Sequence, residues 1–439
     1  FPHGKDIFAH TGNNFVDAIW GSFLLKVLGF NYYYPVFIFT IFLGNIGALA
    51  YLLRVIEAPT IGRWSAIMLW LFNPFVLSEI QLGRPTQITL CWSFLALTSL
   101  HKLRHYGRPR DAFWLATFVA LQGYTYWFYG YFLALVVCSV LLCNWRTIDK
   151  RQSVLIALSG FITLALILVP ALLMMRAINL GGVPGYNGEQ ISRIYEQIQL
   201  SGHPLLCSPI FLCSALLTCF SEARFGFKLA AVLCALFALE PTSTAAFILP
   251  FQSLLDSTIP FYSRLWFPIR WMAFSFVAIV LALSNLSNKK VALCLVLPTI
   301  ALSITLEMRR GALPLTSSPI DVPEYVHLID APVIELPIGY VRPTTVFQTV
   351  HQQPTFGGMG ENNPYFWPTG YRSSLNNPFV LFLSELSDGK CSSKYSHKDK
   401  SRVLERFEYL AVDWMMIEQI LNSKAGTLDV LIPTIFTIR

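Results

Sequence analysis

The stretch GYTYWFYG, Gly123 to Gly130, interrupts a long apolar run, and its reading decides how the chain is threaded. If residues 112–144 formed one helix, the basic loops on either side would face opposite compartments. Those loops carry Lys102, Arg104, Arg108 and Arg110 on one side, and Arg146, Lys150 and Arg151 on the other. Basic loops stay on the cytoplasmic side of a membrane, and Tyr and Trp favour the membrane–water interface. The stretch therefore reads as an outer turn between two spans, which keeps both basic loops inside.

Working outward, the composition agrees with this class. Of 439 residues, 54% are hydrophobic and 13% charged, where soluble domains carry about 25% charged residues. Mean hydropathy is +0.53. The apolar runs are continuous rather than alternating, which argues for helices and against a transmembrane barrel. We read ten spans, at about 34–53, 64–80, 88–101, 112–123, 130–144, 154–174, 205–220, 228–241, 271–286 and 291–306. The net charge of +7 sits in short loops between them, so membrane topology explains it and nucleic-acid binding does not. The nine cysteines lie mostly in or beside spans and show neither a CxxC pair nor zinc spacing. P-loop, HExxH and nucleophile-elbow patterns are absent.

The fold expected is an α-helical polytopic membrane protein with a small C-terminal α/β domain. Residues 1–33 form an external segment, 34–306 the transmembrane domain and 307–439 an external soluble domain. An external start with no leader implies at least one further helix upstream of residue 1. In the tail, VIELPI, DWMMIE and TIFTIR read as short strands, and KDKSRVLERFEYL has helical spacing.

Polar side chains concentrate on the external side. The segment FPHGKDIFAHTGNNFVDAIW offers Asp6 and Asp17, with His3 and His10, as general bases or metal ligands. It reads equally as an interfacial segment anchored by Phe8, Phe15 and Trp20. Glu79 and Arg84 in EIQLGRPTQ either pair with each other or leave Arg84 to grip a phosphate. The loop 175–204 suits a flexible cover or an ordinary long connection. Arg264, Trp266 and Arg270 stand just before a span, as a lipid-phosphate grip or as interfacial anchors.

The order of FPHGKDIFAHTGN, GNIGALAYLLRV, VALQGYTYWFYGYFLAL, PFYSRLWFPIRW and APVIELPIG…QTVHQQPTFGG resembles a group of predicted bacterial inner-membrane proteins. These are similar to the GT-C class of glycosyltransferases, and the resemblance spans nearly the whole chain. It implies a sugar donor linked to polyprenyl phosphate, an envelope acceptor and a periplasmic C-terminal domain. It also implies a catalytic Asp in the first external loop. Asp6 and Asp17 are the acids left in that loop here, and the catalytic acid itself falls upstream of residue 1 if neither matches. A divalent metal is a possible cofactor. The alternatives are a non-catalytic membrane protein whose external domain binds a partner or polymer, and a transporter of lipid-linked sugars.

Overall fold

The computed structural model describes residues 14–81, 85–181, 225–238, 270–285, 296–309, 322–336, 347–348, 350–356, 376–387, 394–405 and 409–412. The described residues are mostly helical, with one short parallel sheet among them. It divides into two compact units: residues 12–171 with 185–318, and residues 1–11, 172–184 and 319–439.

The larger unit is a helix bundle. Its helices, among the described residues, are α1 (Phe15–Leu28), α2 (Phe30–Val55), α3 (Thr60–Leu71), α4 (Pro74–Gln81), α5 (Cys91–Tyr106), α6 (Pro109–Thr125), α7 (Trp127–Cys143), α8 (Lys150–Gly181, of which residues 150–171 belong to this unit), α9 (Phe225–Ala238), α10 (Trp271–Leu283) and α11 (Leu297–Arg309). Local chemistry explains the breaks. The run 64–80 splits at Asn73, whose Oδ1 accepts from Phe75 N at 2.9 Å and so caps α4. Pro109 opens α6, where its missing N–H costs nothing. GYTYWFYG breaks at Tyr126, which is extended (φ −153°, ψ 117°) and both ends α6 and begins α7. The two helices then cross so closely that a Cβ on Gly130 would stand 3.1 Å from Gly123 Cα.

Every residue of α10 is buried. It packs against α9, α3 and α7, while α5 lies between α2 and α6. A helix apolar all round is expected at such a centre. The outer faces are apolar too. Among the described residues two helical stretches, Tyr32–Val55 and Lys150–Leu168, are long and apolar enough to cross a membrane. On α8, Val154 is 66% and Phe161 70% exposed. The segment expected to lie external to the spans contains the helix α1. Asp17 and Leu24 are buried, whereas Ile19 (72%), Phe23 and Val27 are exposed. The expected span 205–220 lies outside the described residues.

In the smaller unit, β1 (Val333–Leu336) lies between β2 (Thr355–Phe356) and β3 (Tyr409–Val412), parallel to both. Parallel neighbours need crossover connections, and α12 (Pro378–Ser387) and α13 (His397–Leu404) fall between β2 and β3 in sequence. Asn377 Oδ1 caps α12 by accepting from Phe379 N at 2.9 Å. Ser396 and Asp399 form a capping box on α13. The helix expected over KDKSRVLERFEYL stops at Leu404, because Tyr409 and Leu410 pair with β1 instead. DWMMIE and TIFTIR lie outside the described residues.

Candidate functional site

The chain between α4 and α5 ends in a 3-10 turn, Pro85–Ile88, followed by Thr89 and Leu90. A non-helical segment inside an apolar bundle must find partners for its backbone. Three helices supply them. On α2, Asn45 Nδ2 donates to Ile88 O at 2.7 Å and Oδ1 accepts from Leu90 N at 2.9 Å. From α6, Gln122 Nε2 donates to Thr89 O at 2.9 Å, while its Oε1 accepts from Ser93 Oγ at 2.8 Å and Ser93 N at 3.1 Å. On α7, Tyr129 Oη donates to Gln87 O at 2.8 Å. Asn45, Gln122 and Tyr129 are all buried. Four successive residues of the segment, Gln87 to Leu90, are therefore held through their backbone by three helices.

One expected site residue, Asp17, borders this segment, and a second, Arg270, is linked to it through Tyr126 and Tyr129. Asp17 of α1 is buried, and its Oδ2 accepts no hydrogen bond among the described residues. Burial pushes its carboxyl up to about 7, with the side chains of Thr86 and Thr89 partly offsetting the rise. The carboxyl thus sits where it can take up or release a proton near neutrality. Arg270, immediately before α10, donates from Nη1 to Tyr126 Oη and stacks its guanidinium 5.1 Å from the Tyr126 ring. Tyr126 in turn meets Tyr129 edge to face at 4.9 Å. Tyr129 also lies within electrostatic reach of Arg270 and of Glu79, which is buried on α4. The GYTYWFYG turn is thereby the hub that joins the guanidinium to the segment Asp17 faces.

Asp6, Arg84, Arg264 and Trp266 lie outside the described residues, as do His3, His10 and most of the loop 175–204. Among the described residues no group of three His, Cys, Asp or Glu side chains is placed to hold a metal. Sequence reading missed Asn45, Gln122, Tyr126 and Tyr129 as parts of the site. The available signal was a single amide inside each of two apolar runs, which is costly unless its hydrogen bonds are made. No family model matches the chain, and neither a curated protein nor a solved structure is similar to it.

Proposed function

We propose that the chain is a membrane glycosyltransferase of the GT-C type, moving a sugar from a lipid-phosphate donor to an envelope acceptor. The observation that carries this reading is a titratable carboxyl and a guanidinium linked through one rigid inter-helix segment, in a bundle whose outer faces are apolar. A soluble protein does not leave Ile19, Phe23, Val27, Val154 and Phe161 facing water in rows. Lipid accounts for them, with α1 lying along the interface outside the spans.

In this reading the chain crosses the inner membrane about ten times, with the tail domain in the periplasm. The phosphate of the donor sits against Arg270, whose planar fork suits a phosphate diester. Asp17 takes the proton from the acceptor hydroxyl as its oxygen bonds the sugar's anomeric carbon. The bond from that carbon to the phosphate oxygen breaks, and the lipid phosphate leaves with the electron pair. Arg270 stabilises the charge that develops there.

Binding of a polyprenyl phosphate in nanodiscs tests the grip. Arg270→Ala is expected to weaken binding at least tenfold, and Arg270→Lys to restore it only in part, because a point charge does not replace the bidentate fork. Equal binding by wild type and both variants would remove Arg270 from the site.

A further inference from the structure

At the other end of α6, a second polar site is built between α2, α5 and α6. An open cavity of about 240 Å³ is lined by Tyr51, Lys102, Arg110, Asp111, Trp114 and Phe118 among others. Lys102 Nζ donates to Tyr51 Oη and lies 4.8 Å from the centre of its ring. Arg110 is exposed. Asp111, in the first turn of α6, is only 5% exposed, and its Oδ2 accepts no hydrogen bond among the described residues. The helix N-terminus favours a carboxylate there, yet a buried oxygen without a donor remains costly. From the cavity an aromatic stripe leads away along the bundle. Trp114 stacks on Phe118 at 5.4 Å, and Phe118 stacks on Trp92 at 6.2 Å. Trp114 is half exposed on the outer face.

Two cations, one buried anion and an apolar stripe match a molecule with a phosphate, an ammonium and a hydrocarbon chain. We propose that this cavity binds the head group of an aminophospholipid. The phosphate sits between Lys102 and Arg110, the primary ammonium donates to the Asp111 carboxylate, and an acyl chain follows Trp114, Phe118 and Trp92. The charge pattern sets the selectivity. Phosphatidylglycerol brings no cation to Asp111, and the quaternary nitrogen of phosphatidylcholine has no N–H to donate. The inference rests on the membrane reading above and not on sugar transfer. By the positive-inside rule the cavity opens to the cytoplasmic leaflet.

Native mass spectrometry of the purified full chain tests it, with dioleoyl phosphatidylethanolamine, phosphatidylcholine and phosphatidylglycerol added in equal amounts. One phosphatidylethanolamine is expected to be retained at least tenfold over either competitor. Asp111→Asn, an isosteric change, is expected to bring its retention down to the phosphatidylcholine level, and Arg110→Ala to lower retention of all three. Equal retention of the three lipids by wild type would overturn the proposal, whatever the variants do. So would an Asp111→Asn protein that keeps the preference. Flotation of the wild type on pure phosphatidylcholine vesicles separates the two levels. A chain that does not float contradicts the membrane reading itself; one that floats without a lipid preference contradicts only this site.

Discussion

At Asp17 the burial that lifts the carboxyl from 3.8 to about 7 also couples folding to pH. Below about pH 4 the group is protonated in folded and unfolded chains alike. Between about 4 and about 7 only the folded chain keeps the proton, so stability is lost as pH rises through that window. Each pH unit of difference corresponds to about 1.4 kcal/mol, which makes the whole effect a few kcal/mol at most. The apparent Tm of the wild type in detergent is therefore expected to fall between pH 5 and pH 8, and that of Asp17→Asn to stay nearly level. Transfer activity should run the opposite way, rising through about pH 7 as the base becomes available, and Asp17→Asn should remove it. A wild-type Tm that does not change with pH would mean that Asp17 is not the buried acid described. Asp17 was legible in the sequence as an acid near the first span. Its burial was not, because α1 buries Asp17 while exposing Ile19, Phe23 and Val27, and the sequence spacing does not mark that face as the inner one.

Between elements, a close approach falls where α9 meets α7. A Cβ on Gly226 would stand 2.9 Å from Val140 Cα and 3.3 Å from Ser139 O. Both atoms are backbone, so no side-chain rotation relieves the clash, and the helices must part. Overpacking of this kind costs roughly 1–3 kcal/mol. Gly226→Ala is expected to lower the apparent Tm in detergent by several degrees, while Gly160→Ala, with nothing within 4 Å of its Cβ, is expected to leave it level or raise it. Similar Tm values for the two variants would contradict the close packing. Helix positions were largely legible at this scale, since long apolar runs leave little choice between helix and strand. The α6–α7 break was legible through its aromatic residues and the charges around it. The α3–α4 break was not, because it depends on a single capping amide, Asn73. Nor was the clamp on residues 85–90 legible. One Asn in α2 and one Gln in α6 carry no spacing signal, and only the fold brings them to the same backbone segment. In the tail, the start of β1 followed from VIEL. The end of α13 did not, because pairing with β1 outweighs the local helical pattern at Tyr409 and Leu410.

For the whole molecule the central claim is that the bundle is embedded in lipid with its basic turns inside and its tail domain outside. Sequence and structure bear on this through different physics. The sequence argues from the charges of alternate loops, and the structure from apolar side chains that face outward. Labelling in intact cells reads the direction across the membrane itself. Starting from a cysteine-free chain, single cysteines at Arg108, Trp145 and Lys398, all exposed positions, are treated with a membrane-impermeant thiol reagent. The account predicts labelling at Lys398 before lysis, and at Arg108 and Trp145 only after the membrane is permeabilised. Labelling of all three positions alike in intact cells, or of Arg108 and Trp145 but not Lys398, would contradict it.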